Sequence, residues 1–379
     1  MRRLLLLVSA IVAADTMFFT ALTPLLPHFA DRFGLSKAEA GALVAAYAVG
    51  AFVGAVPGGL VASRWGPKRA VLLGLTLMSA ASLGFAFSDN VWTLGLSRLL
   101  QGFGSVFSWA GGLAWVTSSA PRERRGELLG TAMGAAVFGA LLGPVLGGLA
   151  GVVGVRGMFL TVSAVGLVLI ACAAATGGAP AEHQRLWEGL QALRERHIYA
   201  GLWLILLPAL LFGVLIVLVP LHLNRYGWGT LSIGAVFLAT TALETVLNPL
   251  LGRLTDRRGR LQPVRAALIG SLVVSVALAL AGRPLVLVPL VLLAGIAYGA
   301  FYTPGLALIS DGAERVGVTQ GLAFGLMNAC WAVGAIVGPA AGGALAGAAG
   351  DAVPYLLMAA LCLVTYVASR VRLPAPLTT

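Results

Sequence analysis

Long apolar stretches, each ended by a short polar or charged segment, follow one another along the whole chain. Twelve can be delimited, at about 4–29, 40–62, 70–88, 91–118, 128–153, 157–177, 198–222, 231–253, 263–281, 285–310, 319–349 and 352–370. Each is near or above the ~20 residues that a helix needs to cross the hydrocarbon core of a bilayer. Several are long enough to tilt or to project beyond it. In lipid a spanning segment must satisfy its own backbone hydrogen bonds, which a helix does. The pattern therefore predicts an all-α membrane protein with twelve transmembrane helices.

The pattern also repeats. Gly139 to Gly148 reads G-A-L-L-G-P-V-L-G-G, and Gly334 to Gly343 reads G-A-I-V-G-P-A-A-G-G. Both obey G-x-x-x-G-P-x-x-G-G, and Pro144 and Pro339 are 195 residues apart. Pro27 and Pro220, Ser63-Arg64 and Asp256-Arg257, and Gly102 and Gly295 repeat at 193, while Gly126 and Gly321 repeat at 195. One matching pair is expected of any Gly- and Ala-rich chain, but a set in register is not. Two pseudo-symmetric six-helix halves are expected, 1–177 and 198–379, of the kind that rock against each other. The intervening 178–197 reads as a cytoplasmic linker. Trp187, Leu190 and Leu193 fall on one side of it among arginines, which fits either a helix lying on the membrane surface or a plain tether.

Composition agrees with this picture. Hydrophobic residues make up 59% of the 379 and charged residues only 10%, against about 25% in soluble domains. The net charge of +11 does not indicate nucleic acid, because the basic residues sit in short loops without an aromatic-interleaved patch. Those loops set an orientation. With the N-terminus inside, 19 of the 25 Lys and Arg fall on the inner side and five on the outer, with Arg98 inside a span. The positive-inside rule then places both termini in the cytoplasm and the chain in the cell inner (plasma) membrane. The start of the chain, Arg2-Arg3 before a leucine run, has the look of a signal peptide, but the apolar stretch continues to Phe29 and matches span 7. Cys172, Cys330 and Cys362 all lie in apolar spans and suggest no disulfide framework. No Walker loop and no His or Cys cluster with metal spacing is present, so neither an enzyme nor a cofactor is expected.

The polar residues inside spans carry the candidate chemistry. Asp15 lies midway through span 1, where a carboxylate is costly unless paired or protonated. Arg98 and Gln101, at i and i+3 of span 4, share a face. Glu244 lies deep in span 8 with Asn248 a turn away, and its repeat counterpart is Ala51, so the symmetry is broken there. Each acid has a structural alternative, a hydrogen bond to a neighbouring Thr or Asn. Asp311 and Glu314 sit at the span 10–11 loop and read as solvated. Candidate lining residues are Gln101, Trp109, Asn248, Tyr298, Tyr302, Asn328 and Trp331, along with Tyr47 and Phe301. The glycine-proline signatures, with Gly143-Pro144 and Gly338-Pro339 at their centres, permit close helix approach and a bend.

These features together resemble the major facilitator superfamily over essentially the whole chain. The segment G-R-L-T-D-R-R-G-R, Gly252 to Arg260, is similar to that family's cytoplasmic loop signature. The first-half copy runs from Gly59 to Arg69 and has Ser63 where the signature has Asp, followed by Arg64. The span-5 signature, the Asp15-to-P-x-x-P spacing of span 1 and the R-x-x-Q-G of Arg98 to Gly102 resemble drug/proton antiporters, tetracycline exporters among them. The resemblance implies proton-coupled efflux of small apolar or amphipathic compounds, with Asp15 and Arg98 coupling protons; Glu244, placed where the repeat is broken, is the further candidate for a proton or a cationic substrate group. It implies Asp256 and Arg257 as conformational residues, Asp256 capping the start of a neighbouring helix. A symporter importing a small polar solute, or a lipid or sugar exporter of the same fold, remains open. The expected partners are a small-molecule substrate, protons and membrane lipids, with no nucleic acid, for a monomer.

Overall fold

The computed structural model describes residues 2–120, 125–179, 194–258, 261–318 and 320–372, and within them the side chains at 125–127, 129–130, 248–258, 261, 320–322, 324 and 371–372 lie outside the described part. The surface-helix reading of 178–197 falls mostly on residues outside it, as do the side chains of Asn248, Asp256 and Arg257. The described chain is helical throughout. Six helices come from the first half of the sequence: α1 (Arg2–Phe33), α2 (Lys37–Trp65), α3 (Pro67–Ala86), α4 (Val91–Ser119), α5 (Arg125–Val153) and α6 (Val155–Ala175). Seven come from the second: α7 (Arg196–Arg225), α8 (Thr230–Arg258), α9 (Leu261–Leu280), α10 (Pro284–Gly299), α11 (Tyr302–Val316), α12 (Gln320–Ala349) and α13 (Ala352–Arg372).

Every predicted span is occupied by helix, and among the described residues eleven segments are long and apolar enough to cross a membrane. The twelfth, α4, is 29 residues long. It is less apolar because it carries Ser97, Arg98, Gln101, Ser105 and Ser108, all buried. Span 10 differs from expectation in being two helices. Pro304 has no N–H for the carbonyl of Ala300, and its ring crowds the preceding turn. The chain answers with a tighter turn, Phe301 N–H reaching Tyr298 O at 3.5 Å, before regular bonding resumes from Gly305 to Phe301 O at 3.0 Å. Spans 1 and 7 also end later than their prolines suggest. Pro27 and Pro220 lie inside α1 and α7. The actual stops are Gly34 and Gly227, both at positive φ (63° and 79°) and themselves 193 residues apart.

Some joints are very short. Gly66 alone separates α2 from α3, and Gly154 alone separates α5 from α6, at φ 91° and 97°. Gly350, at φ 93°, and Asp351 separate α12 from α13.

The chain forms two compact units. The first comprises Met1–Leu35, Ala42–Leu186 and Trp228–Leu238; the second comprises Ser36–Gly41, Trp187–Gly227 and Ala239–Thr379. The start of α2 thus belongs to the second unit and the start of α8 to the first. In the first unit α1 packs on α5, and α3 on α4 and α6. In the second α7 packs on α12, and α9 on α10 and α13, which is the same arrangement half a chain later.

The glycine-proline signatures explain that arrangement. Gly139, Gly143 and Gly147 lie on one face of α5, and a Cβ on any of them would collide with α1 at Ala13, Thr20 or Ala21. Gly334, Gly338 and Gly342 face α7 in the same way, at Leu206, Leu210 and Val214. The other side of each signature is also covered. Pro144 and Gly148 meet Gly234 and Leu231 of α8 within the first unit. Pro339 and Gly343 meet Gly41 and Lys37 of α2 within the second. Each signature is therefore a ridge of small residues gripped on two sides, which is how helices without a hydrophobic driving force between them achieve contact.

Candidate functional site

Close helix approach assembles a polar cluster inside the first unit. Gly102 of α4 lies against the Tyr47 carbonyl and Gly50 of α2 against the Leu99 carbonyl, so side chains at either position would push the two helices apart. That contact brings Tyr47 into line with one face of α4. Along this face run Arg98, Gln101, Ser105 and Trp109, at helical spacing. Opposite them, the α1–α5 ridge contact at Ala13 and Met17 brackets Asp15.

Asp15 is 2% exposed. Its Oδ2 accepts from Ser105 Oγ at 2.8 Å and from Trp109 Nε1 at 2.5 Å. The Tyr47 hydroxyl lies 3.2 Å from Oδ1 and 3.3 Å from Oδ2. A phenol has one proton to donate, and the shorter contact is to Ser105 Oγ at 2.7 Å. Tyr47 to Ser105 to Asp15 is thus a hydrogen-bond chain. Trp109 can only donate. Oδ2 is held by two donors, which leaves Oδ1 as the oxygen that can carry a proton.

Arg98 is 1% exposed and does not touch Asp15; among the described residues no ion pair joins them. Its guanidinium donates to Gln101 Oε1 at 2.7 Å, reaches the carbonyls of Phe18 and Phe19 at 3.5 and 3.4 Å, and lies 5.0 Å from the centre of the Tyr47 ring. Tyr47 therefore touches both groups, the cation over its ring and the carboxylate at its hydroxyl. Arg98 Nε and Gln101 Nε2 are buried and have no acceptor.

The second unit holds a smaller cluster. Glu244 of α8 lies against Gly299 at the end of α10, where a Cβ would fall 2.5 Å from its Oε1. Its carboxylate acts electrostatically on Tyr302, the first residue of α11, whose hydroxyl is hydrogen-bonded to the Trp331 side chain of α12. The Pro304 break thus falls beside Glu244.

The remaining expected residues are dispersed. Tyr298 is 1% exposed, with its hydroxyl 2.9 Å from Ser275 Oγ and Phe212 edge-on at 5.5 Å, so it packs α9, α10 and α7 together. Phe301 is fully buried, whereas Asn328 is exposed. Ser63 bonds its own helix at Leu60 O, 3.2 Å away; Gly59 has open space around it, and Arg64 is exposed. Gly143, Pro144, Gly338 and Pro339 are buried in the ridges. Sequence reading missed Ser105 and gave Tyr47 only a lining role. The i, i+4 and i, i+7 spacing of Ser105 from Gln101 and Arg98 was the available signal.

Buried charges on lipid-spanning helices and two units built on one plan define a multi-pass membrane transporter. Residues 6–324 match the Major Facilitator Superfamily, and the chain belongs to that family. Its fold and family are those of transporters of small molecules, not of enzymes. The chain is 24% identical over 337 residues to Multidrug resistance protein 2 of Bacillus subtilis, covering 85% of this chain and 83% of that one. It is 28% identical over 355 residues to the multi-drug resistance efflux pump PmrA homolog of Lactococcus lactis, covering 87% and 84%. A 33% match to the MFS-type transporter ppzB of Metarhizium rileyi spans 162 residues, 41% of this chain and a third of that protein. Among solved structures, an inward-facing bacterial homolog of the human lysosomal transporter Spinster superposes with a TM-score of 0.79 at 15% identity, covering 97% and 96%. The D-xylose–proton symporter superposes at 0.77 and 16%, covering 98% of both chains.

Proposed function

We propose that the protein is a proton-coupled exporter of small apolar or amphipathic compounds, working by alternating access with both termini in the cytoplasm. The observation that carries the proposal is the Asp15 cluster: a buried carboxylate held by neutral donors, with its balancing cation nearby but not bonded to it. Ionised, Asp15 offsets the Arg98 charge. Protonated, it leaves Arg98 as an uncompensated buried cation, which is expensive in a medium of low polarity. Proton uptake therefore favours a rearrangement that gives Arg98 a new partner or water. The two donors without acceptors, Arg98 Nε and Gln101 Nε2, are where a substrate acceptor group would bind. Glu244, with Tyr302 and Trp331, is a second acid beside aromatic surface, suited to a cationic or amphipathic substrate. The names of the relatives, which include multidrug efflux pumps, support export.

The driving force is sufficient. An inward proton yields roughly 2.3 kcal/mol per 100 mV and about 1.4 kcal/mol per pH unit. At ~1.4 kcal/mol per tenfold, their sum supports a gradient of several hundredfold. The test uses proteoliposomes with an imposed proton gradient and a lipophilic cationic dye. Dye movement opposite to the proton flow is expected; movement with the protons would make the protein a symporter and overturn the proposal.

A further inference from the structure

Tyr47, Ser105 and Trp109 cover only one side of Asp15. On its other side a small cavity lies between α1, α3 and α6. Asp15, Ser79, Ser82 and Gly166 line it, together with apolar residues such as Ile11 and Leu75. Ser79 and Ser82 sit at i and i+3 of α3 and so share a face. Both are buried, 8% and 1% exposed, and the Ser79 hydroxyl has no hydrogen-bond partner. It points at Gly166 of α6, where a Cβ would collide with it; the missing side chain gives the hydroxyl its room. The register is fixed nearby, where Ser163 Oγ donates to the Ser79 carbonyl at 3.1 Å.

A buried hydroxyl without a partner is costly, so such groups are normally satisfied. The cavity has room for about one water, and a buried water requires two to four polar partners. Asp15, Ser79 and Ser82 supply three. We propose that this cavity is a binding site for a single water that bridges Asp15 Oδ1 to the hydroxyls of Ser79 and Ser82, and that Asp15 exchanges its proton through it. The proton arrives as hydronium, transfers to Oδ1 and leaves a neutral water behind; release reverses the step. The route is separate from the Tyr47–Ser105 side, where two donors already occupy Oδ2. This rests on Asp15 being the coupling carboxylate.

The test measures the full chain in proteoliposomes with the same dye. One assay is proton-driven transport, and the other is dye counterflow, which moves no net proton. Asp15→Asn should abolish the first. Ser79→Ala/Ser82→Ala should slow proton-driven transport about tenfold, equivalent to ~1.4 kcal/mol on a barrier, and leave counterflow unchanged. Gly166→Ala, which intrudes on the site, should do the same. Full proton-driven transport in the double variant, with Asp15→Asn inactive, overturns the water route and leaves the role of Asp15 intact. Full transport in Asp15→Asn overturns both. Thermal stability gives a second reading: removing a hydroxyl that merely lacks a partner raises Tm, while removing one that holds a water does not. A rise in Tm for Ser79→Ala therefore counts against the proposal. A sodium gradient that drives transport without a proton gradient, and fails to do so in the double variant, would assign the site to a cation and overturn it too.

Discussion

The two acidic clusters sit on matching scaffolds and differ in almost everything else. Asp15 is on the first helix of its half and Glu244 on the second. Asp15 is buried and hydrogen-bonded by three side chains from α2 and α4, whereas Glu244 is half-buried beside a broken helix and an aromatic pair. The first unit contains a buried arginine in the same cluster; the Glu244 cluster as described contains none. The repeat is kept where backbones must touch, at the two ridges, and abandoned where charge is placed. The difference teaches that pseudo-symmetry in this fold is a property of packing, and that the chemistry occupies positions the packing leaves free.

The comparison can be broken most decisively at the acids themselves. Asp15→Asn is expected to eliminate proton-driven dye transport, and Glu244→Gln to reduce it without eliminating it. Equal losses in a side-by-side flux assay would show the two clusters to be equivalent. Next in size is a pair of tryptophans. Trp115 in the first unit is fully buried and donates to Gly177 O at 3.1 Å, while Trp203 in the second is half-buried and donates to Thr365 Oγ1 at 3.2 Å. Trp115→Ala should cost about 3–5 kcal/mol, the usual range for emptying a buried aromatic site. Trp203→Ala should cost less, and unfolding of both in detergent checks the order.

A smaller effect is expected at the tyrosines. Tyr47→Phe keeps the ring beside Arg98 but cuts the chain to Ser105, and should slow proton-driven transport about tenfold. Tyr302→Phe loses a single hydrogen bond of about 1 kcal/mol and should change dye affinity rather than coupling. If Tyr302→Phe had the larger effect on coupling, the roles assigned to the clusters would be exchanged.

The smallest effect lies outside the membrane. Glu195 caps α7, accepting from Ile198 N–H at 2.8 Å and contacting His197 Nδ1 at 2.8 Å. Burial alone would push its carboxyl up, but the bonds from His197 and the backbone prevail and hold it below the usual glutamate value of 4.5. A group held lower in the folded state stabilises the fold above its unfolded value and loses that contribution as pH falls through its folded value. Tm should therefore show a small decline in acid that Glu195→Gln lacks. A wild-type curve superimposable on that of the variant would show that the cap contributes nothing.

Much of this was legible in the sequence, for identifiable reasons. Spans could be read because the bilayer imposes a length and a composition. The repeat could be read because glycines that meet a backbone tolerate no substitute. Arg98 and Gln101 could be placed on one face because helical spacing is fixed. What lay beyond the sequence was what stands between helices. Asp15 and Arg98 suggest a pair, but nothing local to α1 or α4 says that Tyr47 of α2 contacts both of them. That depends on Gly50 and Gly102 meeting across two helices. Pro304 could have disclosed the break in span 10, yet the apolar run continues across it and hides it.

The one-residue joints at Gly66 and Gly154 have a practical consequence. With helices on both sides and a backbone angle that only glycine adopts readily, neither joint can accept an inserted residue or tag without re-aiming the helix that follows. A reporter placed there would read out its own disturbance. In the turn between α3 and α4, by contrast, Ser88 is buried and Asn90 caps α4, but the Asp89 side chain is exposed and is the place for a label.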